Sequence, residues 1–197
     1  SSGVGSLTNP LKLSKIFKGE KNKKISDKTI NRYLNYFEDS FLINKVKRYD
    51  VKGKKYINSP CKYYFEDVGL RNARINFRQP EENHIMENII YNELKARGYQ
   101  VDVGIVGVYE YNKNKKRMLK NYEVDFIVNN GNNKVYIQSA FSVEDEKKLK
   151  QECNSLNNIN DSFQKIIIVR NKIEPRITEN GIQIISIYDF LLEKSKI

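Results

Sequence analysis

Residues 121–142 read NYEVDFIVNNGNNKVYIQSAFS. Two runs of alternating apolar and polar residues flank an Asn/Gly turn, which predicts a β-hairpin whose side chains alternate between two faces. On that reading Glu123, Asp125 and Ile127 share one face of the first strand, and Tyr136, Gln138 and Ala140 share one face of the second. A pair of carboxylates on an otherwise apolar strand, answered across the turn by a neutral Gln138, needs either a chemical partner or a solvent-facing side.

Upstream of the hairpin, HIMENIIYNELKARGY (84–99) carries an apolar stripe of Ile85, Ile89, Ile90 and Leu94 and a stop at Gly98, the pattern of an amphipathic helix. Glu87 and Asn88 fall near the edge of that stripe. A strand around Tyr99–Val108 and a polar, basic excursion, EYNKNKKRMLKN, lead into the hairpin. Beyond it come an amphipathic helix over VEDEKKLKQECNSLNNI, a buried strand KIIIVRN, and GIQIISIYDFLLEK as a strand running into a terminal helix. The order α, β, β, β, α, β, β, α predicts an α/β domain with a mixed sheet over residues 81–197.

The chain of 197 residues has a net charge of +11, and that charge is unevenly placed. Residues 1–80 hold 18 Lys and Arg against 7 Asp and Glu, whereas residues 81–197 hold 17 against 17. The whole excess lies in the first part, which suggests a separate module there with an affinity for polyanions such as DNA. LKLSKIFKG predicts a short helix. DKTINRYLNYFEDSF predicts a second, with Ser26 or Asp27 as N-cap and Ile30, Tyr33, Leu34, Phe37 and Phe41 as its core face. Its opposite face offers Lys28, Asn31, Arg32, Asn35 and Tyr36. FLINKVKRYDV and KKYIN then predict a basic hairpin carrying Lys45, Lys47, Arg48, Lys52, Lys54 and Lys55. Helix, helix and basic hairpin together describe a winged helix over residues 7–80, whose second helix would enter the major groove of DNA while the hairpin touches the backbone. In KYYFEDVGLRNA the aromatics Tyr63, Tyr64 and Phe65 approach a strand that Asp67 and Gly69 end, a block expected to serve packing and a turn.

No apolar run approaches the roughly 20 residues that a membrane-spanning helix needs. Cys61 and Cys153 are too few for a disulfide framework, and the single His84 cannot support a histidine-rich metal site. Together with the lack of a secretory pattern, these features predict a cytoplasmic protein without a membrane partner. The opening SSGVGS, residues 1–6, reads as a tag remnant on a piece of a longer protein.

The blocks TINRYLNYFEDSFLINKVKRYDVKGKK, KYYFEDVGLRNA, ENIIYNELKARGY, EVDFIV, YIQSAFS and GIQIISIYDFLL resemble the region that follows the P-loop core in a widespread family of bacterial and archaeal AAA-type ATPases. The resemblance implies a winged helix followed by a C-terminal domain. It also implies that ATP belongs only to a core outside this sequence, which contains no GxxxxGK(S/T) loop, and that any oligomer would form through that core. The second module in turn resembles the PD-(D/E)xK restriction-endonuclease-like fold. That resemblance implies Glu87, Asp125 and Gln138 as ligands of Mg²⁺ or Mn²⁺ in a phosphodiesterase site. It places Ala140 where such enzymes carry a Lys, with Lys120 or Arg117 as conceivable substitutes. An Ala methyl cannot orient a water or stabilise a pentavalent phosphate, so the expected role is a DNA-binding or partner-binding region with a catalytically inactive nuclease-like domain. The alternatives are a Mg²⁺- or Mn²⁺-dependent nuclease and a protein-interaction module.

Overall fold

The computed structural model describes residues 5–21, 24–78, 81–111, 115–143 and 145–192. Four of the six residues read as a tag, 1–4, and the proposed module boundary at residue 80 lie outside the described residues. Helices α1 (Pro10–Lys21) and α2 (Asp27–Asp39) come first, then the hairpin β1 (Ile43–Asp50) and β2 (Lys55–Phe65). Helices α3 (Val68–Arg74) and α4 (Glu82–Ala96) follow, then β3 (Gln100–Tyr111), β4 (Arg117–Asn130) and β5 (Asn133–Ala140). Helix α5 (Glu146–Asn157), strands β6 (Gln164–Val169), β7 (Arg176–Ile177) and β8 (Gln183–Ser186), and α6 (Ile187–Leu191) complete the described chain. From α4 onward this is the α/β order that the sequence predicts, with the two-residue β7 added.

All eight strands form one mixed sheet in the order β2-β1-β3-β4-β5-β6-β8-β7. Helix α4 lays Met86, Ile90, Tyr91 and Leu94 on one face, over Val103, Phe126, Val128 and Ile137. On the other face α5 brings Cys153 and Leu156 over Val106, Val124, Ile127, Tyr136 and Ile167. The central strands are therefore covered on both sides, which explains the unbroken apolar run of β6.

Three features depart from the sequence reading. First, the basic hairpin is not a free-standing wing. β1 pairs in parallel with β3, matching Arg48 to Val103 and Asp50 to Ile105, and so extends the main sheet. The KYIN run and the strand expected around Tyr63–Phe65 are one continuous strand, because β2 runs through Ser59-Pro60 to Phe65. Second, only Ile30 of the predicted α2 core face is buried. Leu34 is half-buried, and Tyr33, Phe37 and Phe41 are exposed, because α2 packs against α1 and the end of β1 and not across the sheet. Third, the buried side of α4 is Met86, Glu87, Asn88, Ile90, Tyr91 and Leu94, so that Ile85 and Ile89 lie at its margin and Glu87 faces inward.

Candidate functional site

The register of β3 against β4 shifts at the place where the two carboxylates stand. Asp102 pairs with Ile127 and Gly104 with Val124, so Asp125 and Phe126 together oppose the single residue Val103. This is a β-bulge, and it breaks the strict alternation of β4. Val124 and Ile127 both pack toward α5, whereas Phe126 and Val128 pack toward α4. Asp125 and Ile127 therefore do not share a face, and Glu123 and Asp125 can both turn to one point beneath α4. The bulge is allowed by the missing side chain next to it, since a Cβ on Gly104 would lie 2.8 Å from the Cβ of its partner Val124.

At that point stands the amine of Lys62, from β2. Lys62 is 1% exposed. Its Nζ lies 2.7 Å from Glu87 Oε1, 2.6 Å from Glu123 Oε1 and 3.1 Å from Asp125 Oδ1. An ammonium has three protons to donate, and each finds one carboxylate oxygen. Tyr64, two residues along β2, donates its hydroxyl proton to Glu87 Oε1 at 2.6 Å. Asp125 Oδ2 accepts from the backbone N–H of Ser139 at 2.9 Å, so the carboxylate also ties β4 to β5 beyond the last paired residues. The chain at Gly5 passes close to the cluster, donating its N–H to the Tyr63 carbonyl, and a Cβ there would fall 2.9 Å from Glu87 Oε2.

Burial alone would lower the pKa of the Lys62 ammonium, but Asp125, Glu87 and Glu123 outweigh it and hold the amine protonated beyond the ordinary lysine range. Glu87 is pushed up to about 7, first by burial and then by the charge of Asp125, against the opposing pull of Lys62. Burial, followed by the Glu87 carboxylate, also raises the Tyr64 phenol well above its usual value.

Of the residues assigned to a metal site by resemblance, Glu87 and Asp125 converge and Gln138 does not join them. Gln138 Oε1 makes only long contacts, to the Asp125 backbone N–H at 3.4 Å and the Ser155 hydroxyl at 3.5 Å, and its Nε2 points to Glu152 of α5 at 3.4 Å. Ala140 is buried in the apolar layer under α5. Neither conceivable substitute for the missing Lys reaches the cluster: Lys120 pairs with Glu110 at 3.4 Å, and Arg117 stacks on Tyr109 at 3.8 Å. The residue that does reach it, Lys62, was given no role by sequence reasoning, and neither was Glu123. One signal was available, namely a lysine embedded in the run CKYYF, whose neighbours Cys61, Tyr63 and Tyr64 are all buried.

The residues as arranged do not fit a divalent cation. An ammonium already sits within hydrogen-bond distance of all three carboxylates, and a second cation there would meet both its volume and its charge.

The residues proposed for DNA contact divide into two groups. Lys28, Asn31, Arg32 and Asn35 on α2, and Lys47, Lys52, Lys54 and Lys55 on the hairpin, are exposed. Lys45 is half-buried, and Arg48 is engaged internally, donating Nε and Nη2 to the carbonyls of Pro60 and Ser59 at 2.7 and 2.8 Å.

Two family models match the chain. The first, "Domain of unknown function (DUF8612)", covers residues 2–81, and the second, "Domain of unknown function (DUF4143)", covers residues 82–190, more than half of the sequence. The chain belongs to the DUF4143 family. An uncharacterised protein of Haemophilus influenzae is 34% identical over 190 residues, which is 96% of this chain and 43% of that protein. An uncharacterised protein of Methanocaldococcus jannaschii is 34% identical over 132 residues, 67% of this chain and 27% of its own length. The chain thus spans less than half the length of these curated relatives. In the DUF4143 region lie Glu87, Glu123 and Asp125, whereas Lys62 and Tyr64 come from the preceding DUF8612 region. The buried charge cluster is therefore assembled from both.

Proposed function

We propose that this chain is a cytoplasmic binding region of a longer AAA-type ATPase, one that holds DNA and does not cut it. Its DUF4143 part is read as a nuclease-like domain that has lost its chemistry. The observation that carries the reading is the Lys62 ammonium, which sits 2.6–3.1 Å from the carboxylates of Glu87, Glu123 and Asp125, where a phosphodiesterase of the resembled type would hold its Mg²⁺. Ala140, buried under α5, adds to it, since its methyl brings no amine to the Lys position of that motif, and Lys120 and Arg117 are engaged elsewhere. ATP would be bound by a core outside this sequence, and any oligomer would form there. Plasmid and single-stranded DNA incubated with Mn²⁺ should stay intact with the wild type and with Asp125→Ala alike; cutting by the wild type that Asp125→Ala abolishes would establish the nuclease instead.

DNA binding is supported by the exposed lysines Lys47, Lys52, Lys54 and Lys55 on the hairpin together with Lys28 and Arg32 on α2. Fluorescence anisotropy on a short duplex should show affinity falling steeply with salt. Charge reversal of the four hairpin lysines to Glu should flatten the logarithmic salt slope by about one per lost phosphate contact. A salt-independent affinity, or an unchanged slope in the variant, would rule out this surface.

A second reading, docking of a protein partner, is favoured by one observation. Tyr33, Tyr36, Phe37 and Phe41 are all exposed on or just after α2. Absence of nucleic-acid binding at low salt would leave this reading as the better one.

A further inference from the structure

Three carboxylates brought to one point repel one another, and either a proton on one of them or a cation among them relieves that repulsion. Here that cation is covalently part of the chain. Glu87 arrives from α4, Asp125 from the β4 bulge, Glu123 from the residue pair before it, and Lys62 from β2. A hard divalent ion would use the same oxygens at about 2.0–2.6 Å, slightly inside the 2.6–3.1 Å that the ammonium adopts. The carboxylates are fixed by more than Lys62. Asp125 is held by Ser139 N–H and Glu87 by the Tyr64 hydroxyl, so both would keep a partner if the amine were removed. Glu123 is half-exposed and has room to adjust.

We propose that Lys62 is a tethered resident cation standing in for a divalent metal ion, so that the DUF8612 region closes a latent metal site on the DUF4143 region. The inference rests on the geometry of the ion cluster and holds whether or not the chain binds DNA. Shortening the side chain in Lys62→Ala removes both the charge and the four-carbon stem, and leaves three carboxylates facing a space that a Ca²⁺ or Mn²⁺ ion can enter. Lys62→Met removes the charge but keeps the bulk, and opens no such space.

The test measures Mn²⁺ binding to the whole chain by loss of the free-ion signal in electron paramagnetic resonance, and the urea midpoint with Mn²⁺ or with chelator. Wild type should show no Mn²⁺-dependent midpoint. Lys62→Ala should unfold earlier in chelator, recover on adding Mn²⁺, and bind Mn²⁺ at least roughly tenfold more tightly than wild type. Lys62→Met should not recover, and adding Glu123→Gln to Lys62→Ala should weaken the recovery. The proposal is overturned if wild type binds Mn²⁺ as tightly as Lys62→Ala, or if soluble Lys62→Ala ignores the metal. It is equally overturned if Lys62→Ala cannot be refolded even with millimolar Mn²⁺ present, since the carboxylates would then not accept the substitute cation.

Discussion

Lys62 sits between Cys61 and Tyr63 in a strand segment where every neighbour is buried, and its charge is tolerated only because Glu87, Glu123 and Asp125 surround it. Removing one member of such a set leaves the others buried and uncompensated, which costs more than the set contributes as a whole. Lys62→Met is therefore expected to lower stability by about 3–5 kcal/mol, read as a shift of the urea midpoint in chelator. Glu87 gives a pH signature. Because burial and the charge of Asp125 raise it to about 7, the folded protein keeps a proton there that the unfolded chain releases near pH 4.5. The proton bound only in the folded state stabilises it in acid, and that stabilisation is lost as pH rises from about 4.5 through about 7. Glu87→Gln should remove this component, so the urea midpoint of the variant should change less between pH 5 and pH 7.5 than that of wild type; parallel changes in both proteins would locate the titration elsewhere. Asn88, next along α4, works without charge. Its amide accepts from Phe65 N–H and donates to the Phe65 carbonyl, both at 2.8 Å, closing the end of β2 as a neighbouring strand would. The Phe65 carbonyl also accepts from Asn92 Nδ2 at 3.1 Å, so Asn88→Ala leaves only the Phe65 N–H without this partner and should cost about 1–3 kcal/mol, read from the urea midpoint.

At the scale of elements, the bulge in β4 is the device that turns a plain hairpin strand into a site. A regular β4 would send Glu123 and Asp125 to the same face as Ile127, as period-two counting predicts, and that face lies under α5. One extra residue against Val103 moves them to the α4 side, where Lys62 is. The close approach of Gly104 to Val124 permits the bulge. Gly104→Ala must push β3 and β4 apart, and a loss of about 1–3 kcal/mol in thermal or urea unfolding is expected. A neutral result would show that the bulge tolerates a wider spacing. Helix α2 shows the limit of amphipathic reasoning from the other side. Its apolar stripe is present in the sequence, but periodicity says only that one face is apolar and not that anything covers it. Here α1 and the end of β1 cover Ile30 and part of Leu34, and the aromatics stay outside.

Across the whole molecule, the boundary between the two family regions at residues 81 and 82 is not a boundary in the sheet. β1 and β2 belong to the first region and β3 to the second, and the parallel pairing of Arg48–Asp50 with Val103–Ile105 joins them. The Lys62 cluster and the Asn88 amide bridge the same division. The two regions should therefore unfold together: urea transitions followed at probes in each are expected to coincide, and two separated midpoints would show independent domains. The sequence by itself determined what depends on local pattern. Period-two alternation and turn residues located the hairpin of residues 121–142, helical periodicity located α4 and α5, the element order indicated a mixed α/β sheet, and the charge count placed the basic excess before residue 81. Glu87 stood out beside the apolar stripe of α4 and Asp125 beside that of β4, but only the resemblance to the nuclease fold put the two together. Only the tertiary structure decided what they do. Lys62 lies 25 residues from Glu87 and 63 from Asp125 along the chain, and the strand register that brings them together is set by a one-residue bulge opposite Val103, beside Gly104. Pairing and close packing over such separations act through space, and no local periodicity in the sequence encodes them.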